Sequence, residues 1–176
     1  MMARQHRKFK PKPSRSYEGD GPHSWAHAMK ESGVLISAIL SVAHPALFRA
    51  GQAAMRTLAG VDTVSHALAS WPTVFDKVHL ICNRESPYHR DSSGLPTWYD
   101  LIMTLGSYRW GTLALRNLGV QVSYRPGTIA LISAYLIHHG VGPVGPNRIC
   151  YSWFMCKEVH QNHGVEDVPW MTLSNY

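Results

Sequence analysis

The feature that most constrains the fold is a change of hydrophobic period at Pro72. Before it, apolar residues recur at helical spacing; after it, the chain breaks into short β-like runs separated by Gly, Pro and Asn. Upstream, Trp25, Met29, Ile36, Ile39, Leu40 and Ala43 share one helical stripe, with a weak point at Ser32 and Gly33. A second helix is expected from Pro45, a favourable first helical position, burying Leu47, Ala50, Ala54 and Leu58 and ending near Gly60. A shorter one is expected over 63–69, before Trp71 and Pro72 break it. Downstream, strands are expected at 78–83, 99–105, 112–115, 121–124, 128–133 and 148–157. Helices followed by a run of strands argue for an α+β chain. Many short strands in this order suit a closed or jelly-roll β structure with the helices packed on its outside.

Length and composition set the frame. At 176 residues, 45% hydrophobic and 16% charged, the chain has the size and balance of one globular domain. The expected division is a basic, unstructured tail over 1–22 and one domain over 23–176, helical over 23–72 with its β core over 73–160. Of the 17 Lys and Arg, six (Arg4, Arg7, Lys8, Lys10, Lys12 and Arg15) lie in the first 16 residues with no acid among them, so the other 11 balance the 11 Asp and Glu. The charge of +6 therefore belongs to the tail. A nuclear-localisation patch, a sequence-independent phosphate contact and a merely solvating terminus all fit it. Cys82, Cys150 and Cys156 lack CxxC spacing, which argues against a disulfide framework or zinc knuckle and for reduced, mostly buried thiols. No apolar run reaches the roughly 18 residues of a membrane span, and the start lacks a secretory signal. A soluble protein of the nucleus or cytoplasm is expected. Nothing in the sequence specifies an oligomeric state.

His89 and Asp91 are i and i+2 of an extended segment, so both side chains point to the same side. His138 or His139 offers a third ligand. Two histidines and a carboxylate on one octahedral face leave three positions open for a bidentate cosubstrate and dioxygen, the arrangement of non-haem Fe(II) oxygenases. Arg148, nine positions after His139, stands at the start of the last expected strand, where a guanidinium can grip the far carboxylate of oxoglutarate with two bonds. If Arg148 points inward, Cys150, Ser152 and Phe154 line the β structure with it, while Ile149, Tyr151, Trp153 and Met155 face the helices. The kinase-like string His89-Arg90-Asp91 is dismissed: the catalytic-loop Asn would fall on Pro96, and no Asp-Phe-Gly or glycine-rich loop is present. A zinc hydrolase using the same three ligands is a minor alternative.

Several spaced motifs then carry a family resemblance. They are Asn83-Arg84-Glu85-Ser86-Pro87-Tyr88-His89-Arg90-Asp91, Trp98-Tyr99-Asp100 running into Thr104-Leu105-Gly106, Tyr124-Arg125-Pro126-Gly127-Thr128, Ile137-His138-His139-Gly140-Val141 and Asn147-Arg148-Ile149-Cys150. From roughly Ala43 to the C-terminus the chain resembles the TET/JBP oxygenases, in particular their fungal branch. The resemblance implies a double-stranded β-helix, Fe(II) and 2-oxoglutarate as cofactors with ascorbate as reductant, and oxidation of a methyl group on a DNA base, 5-methylcytosine or N6-methyladenine. By position it places the metal ligands on His89, Asp91 and His139, with His138 the alternative third ligand, and the oxoglutarate contact on Arg148. Asn83 is either an oxoglutarate hydrogen-bond partner or a strand-end turn residue. Tyr99 and Tyr124 are pocket or core aromatics. The cysteine-rich zinc region of the animal members is missing here. Between Arg84 and Arg148 six arginines face only Glu85, Asp91 and Asp100, which would give the mouth a basic character. The rivals are an oxygenase of the same fold on another substrate, such as an AlkB-like demethylase or protein hydroxylase, and a catalytically silent domain that binds DNA or a partner.

Overall fold

Helices give way to strands at the expected place in a computed structural model, which describes residues 10–172. Four helices come first: α1 (Asp20–Ala28), α2 (Lys30–Ala43), α3 (Pro45–Ala59) and α4 (Asp62–Leu68). Pro45 sits in the first turn of α3, where its missing N–H leaves no bond unmade, and the His44 imidazole accepts from Leu47 N–H to cap the helix. The expected weak point at Ser32 and Gly33 does not interrupt α2; the break falls at Met29 instead. Gly33 serves packing, because a Cβ there would collide with the Pro72 carbonyl.

The tail expectation is corrected where the structure describes it. Residues 15–17 form a 3-10 turn, and Tyr17 packs edge-on against Trp71 at 5.5 Å and shares a 3.1 Å hydrogen bond with Ser70. α1 then starts at Asp20, ahead of the expected boundary after Pro22. Tyr17 on Trp71 and Ser70, with Thr63 Oγ1 donating to Pro11 O at 2.6 Å, fastens a segment whose composition reads as polar and Pro-rich. Residues 1–9, with Arg4, Arg7 and Lys8, lie outside the described residues.

Among the described residues eight strands follow: β1 (Lys77–Cys82), β2 (Ser86–His89), β3 (Asp100–Gly106), β4 (Thr112–Leu115), β5 (Val120–Ser123), β6 (Ile129–Ile132), β7 (His139–Val141) and β8 (Arg148–Phe154). They build two four-stranded sheets, ordered β1-β8-β3-β6 and β2-β7-β4-β5, with antiparallel pairing throughout. The fold is thus α+β with a jelly-roll core, as expected. Two strands, β2 and β7, were not anticipated. The last expected strand, over 148–157, stops at Phe154, and the chain turns into α5 (Lys157–Asn162). Met155 and Cys156 prolong the apolar run without prolonging the pairing.

Alternation along the shared strands divides the core in two. Leu101 and Met103 of β3 and Tyr151 and Trp153 of β8 pack against Ile36, Leu40 and Leu47 of the helices. Ile102 and Cys150, on the opposite faces, join Leu113, Tyr124, Ile132 and Val141 between the sheets. β3 and β8 are buried on both faces over most of their length, which is why apolar residues fill both faces of each strand, interrupted by Asp100 and Thr104 in β3 and by Arg148 and Ser152 in β8. Trp25 of α1 stacks on Tyr151 and Trp153 at 6.1 and 6.0 Å, fastening the first helix to the sheet. Truncating a side chain as buried as Trp153 typically costs about 3–5 kcal/mol. Cys150 and Cys156 are buried, but Cys82 at the end of β1 is exposed, against the expectation of mostly buried thiols.

Candidate metal centre

The two unexpected strands assemble the centre. β2 pairs with β7 so that Ser86 faces Val141 and His89 faces His139. Three steps along β2 match two along β7, so one extra residue bulges out of β2. The bulge carries Pro87, which has no N–H to give to a ladder. Because of it, Ser86 and His89 reach the same face despite their odd spacing, and the His89 and His139 rings come to 4.4 Å between centroids. Asp91 lies just past the end of β2, held by its own N–H donating to Ala134 O at 3.0 Å. One ligand atom from each of His89, Asp91 and His139 falls within 4.8 Å of the others. His138, the other candidate, turns away: its ring lies near Tyr88 at 5.7 Å on the opposite face.

The protonation of both histidines follows from their neighbours. His89 Nδ1 lies 2.7 Å from Pro87 O and His139 Nδ1 lies 2.8 Å from Ile137 O. A carbonyl only accepts, so Nδ1 carries the proton in each ring and Nε2 keeps its lone pair for a metal. Burial, with a smaller push from His89, lowers the His139 pKa and favours the neutral imidazole a metal needs. His89 and Asp91 are open to solvent on one side, with side chains 43% and 38% exposed.

Arg148 stands at the first position of β8 and is only 1% exposed. Its Nη1 donates to Arg84 O at 3.2 Å, but its Nε and Nη2 have no acceptor among the described residues. The Tyr124 ring lies under the guanidinium, 5.3 Å from centroid to Cζ. Burial raises the pKa of the Tyr124 phenol and of the nearby Cys150 thiol, so neither supplies a counter-charge. A buried cation with two idle donors is costly unless an anion meets it. The carboxylate of an oxo acid fits that need, and two imidazole lone pairs with one carboxylate fit a ferrous ion.

Asn83 has a partner within the chain. At φ 51° it sits in the left-handed region, where its Oδ1 accepts from Arg148 N–H at 2.8 Å while its own N–H donates to Arg148 O at 3.0 Å. It therefore holds Arg148 in place. Tyr124 is fully buried beside Arg148; Tyr99 instead packs on His44 at 5.2 Å, on the helical side. Sequence reasoning gave no role to Asp100. It is 6% exposed, and burial first, then the Asp91 charge, raises its carboxyl pKa well above the usual range. An acid buried in a strand is the signal that could have drawn notice. A cavity of about 1330 Å³ lies between the N-terminal segment, α3, α4 and β1 and includes none of His89, Asp91, His139 and Arg148.

A family model described as the oxygenase domain of the 2OGFeDO superfamily, Tet_JBP, matches residues 3–157. No curated protein matches the chain. The matched span covers every strand described and also the helices α1 to α4 and the stretch before them, all of which precede the motifs behind the resemblance at sequence level. Family, fold and the donor chemistry of the cluster agree, and the chain belongs to the Tet_JBP oxygenases, dioxygenases that use Fe(II) and 2-oxoglutarate.

Proposed function

We propose that His89, Asp91 and His139 hold Fe(II), that Arg148 binds the far carboxylate of 2-oxoglutarate, and that the enzyme oxidises a methyl group on a nucleic-acid base, 5-methylcytosine or N6-methyladenine in DNA. The observation that carries the reading is the open His-Asp-His face, and a buried guanidinium that lacks a counter-charge supports it. Bound iron, dioxygen and oxoglutarate supply the oxidation of a C–H bond, oxoglutarate leaving as succinate and carbon dioxide. The chain's part is placement. Pro87 O and Ile137 O fix the two imidazoles with Nε2 toward the ion, Asn83 anchors the Arg148 backbone, and Tyr124 closes off the guanidinium from water.

Two features support a nucleic-acid substrate. The metal face is reached from the surface, which suits a base swung out of its stack. Arg84, Arg90, Arg109, Arg116 and Arg125 are all exposed, whereas of the three nearby acids Asp91 faces the metal and Asp100 is buried, leaving Glu85. That surplus of exposed arginine over acid supports phosphate contacts. Within the family we place the chain in the fungal branch, acting in the nucleus or cytoplasm.

The test is succinate formation by the full chain with Fe(II), oxoglutarate and ascorbate, with and without duplex DNA carrying either methylated base, the bases being read by mass spectrometry. Succinate together with a hydroxymethylated or demethylated base is the expected result. Succinate without base oxidation would reject the substrate and keep the cofactor assignment, pointing to another substrate for the same fold. No succinate from a folded, iron-loaded sample would reject both.

A further inference from the structure

We propose that His23, His27 and His66, together with Asp20, form a second metal site, one suited to a borderline divalent ion such as Zn(II). His23 and His27 stand one turn apart on the same face of α1, and His66 stands on α4. All four side chains line one shallow depression of about 550 Å³, with Lys30 at its edge. Three imidazoles and one carboxylate make a four-ligand set of the kind that closes a tetrahedral zinc site.

The ring geometry supports coordination. The His23 and His66 centroids are 5.0 Å apart. Two imidazoles on a tetrahedral ion, with nitrogens at about 2.0–2.1 Å, have centroids about 5 Å apart, while the right angle of an octahedral ion brings them to about 4.5 Å. The His89 and His139 rings of the candidate iron centre stand at 4.4 Å.

A second observation concerns the proton on His23. Its Nδ1 lies 3.0 Å from Ser70 Oγ, and Ser70 Oγ donates its own hydrogen to Ala67 O at 3.3 Å. With the Ser70 hydrogen on Ala67 O, the Ser70 oxygen is open to accept from His23 Nδ1 and from the Tyr17 hydroxyl at 3.1 Å. In that arrangement His23 Nε2 is left unprotonated, the tautomer that the backbone carbonyls impose on His89 and His139. His27 and His66 are exposed, and the group does not yet bring three ligand atoms together as the His89 cluster does, so an ion on His23 would have to draw them inward to ligating distance. The site would clip α1 to α4. Since α1 carries Trp25 onto Tyr151 and Trp153, the metal would stabilise the helical layer against the sheet.

The experiment is a Zn(II) titration of the full chain against a chromophoric chelator, comparing wild type, a His27→Ala/His66→Ala double variant and a His89→Ala/His139→Ala double variant, with circular dichroism to show that each is folded. The expected result is the loss of one zinc equivalent on replacing His27 and His66, whatever the His89 cluster holds. In the His89→Ala/His139→Ala protein, added zinc should raise the thermal midpoint, a shift absent once His27 and His66 are also replaced. An unchanged stoichiometry in the His27→Ala/His66→Ala protein would overturn the proposal. So would a wild type binding only the equivalent that the His89→Ala/His139→Ala variant loses.

Discussion

Arg148 carries its charge at 1% exposure, and no carboxylate among the described residues pairs with it. Its removal should therefore act on oxoglutarate before it acts on the fold. Arg148→Ala is expected to raise the oxoglutarate concentration for half-maximal succinate formation by on the order of 100-fold, the usual scale for truncating one side of a buried charged pair. Asp91 sits differently. Its side chain is 38% exposed and lies 3.6 Å from His89 at the surface, so Asp91→Ala should leave the circular dichroism spectrum intact. Activity should fall more than about 100-fold, beyond what losing an outer hydrogen-bond partner of a metal ligand costs; full turnover by that variant would sink the metal assignment. The residue types of this centre were legible, because His-x-Asp and an arginine heading a strand are chemical signals. The choice of His139 over His138 was a matter of face, and two adjacent residues of a strand differ only in that.

At the scale of elements, the centre depends on how closely β2 and β7 approach. Gly140 makes the approach possible: a Cβ there would lie 2.9 Å from Ser86 O and 3.2 Å from Tyr88 N. β2 is a four-residue edge strand with a bulge and little else to hold it. Gly140→Val should displace β2 and separate His89 from His139, at a cost of about 1–3 kcal/mol in stability and a clear drop in Fe(II) affinity by competition titration. Gly142→Val, where a Cβ meets nothing within 4 Å, is the control and should bind iron as wild type does. Equal iron binding by both variants would remove strand spacing from the account. β2 and β7 escaped sequence reading for a physical reason. They have four and three residues, too few for a period to register, and Pro87 reads as a breaker.

For the whole molecule, the joint between the C-terminal helix and the sheet contains two buried titratable groups. Asp76, next to β1, accepts from Cys156 N–H at 3.1 and 3.2 Å, and its carboxylate lies 3.8 Å from His160 on α5, beyond hydrogen-bond reach. The His160 ring packs on Trp98 at 4.6 Å. Burial raises the Asp76 carboxyl from its ordinary 3.8 to about 7 and lowers the His160 imidazole from 6.5 to about 4. An acid whose pKa rises on folding loses stability as pH climbs, here from about 3.8 to about 7. A base whose pKa falls on folding gains stability as pH climbs, here from about 4 to about 6.5. The two slopes cancel over most of that window, so wild-type stability should vary little from this cluster. Asp76→Asn should expose the histidine slope, with stability falling on acidification by about 1.4 kcal/mol per pH unit. His160→Asn should expose the opposite slope. Urea denaturation between about pH 4.5 and 6.5 checks both; variants running parallel to wild type would contradict the neutral pairing.

The sequence by itself determined that helices precede strands, that the last strand is largely apolar on both faces, and that His89, Asp91, His139 and Arg148 stand among the candidates for chemistry. These are local matters of period and side-chain type. Only the tertiary structure decided which histidine joins the cluster, that Asn83 grips the Arg148 backbone, and that His23, His27 and His66 share one depression. Each depends on a pairing register or a helix contact between residues far apart in the chain, and no local pattern encodes that distance.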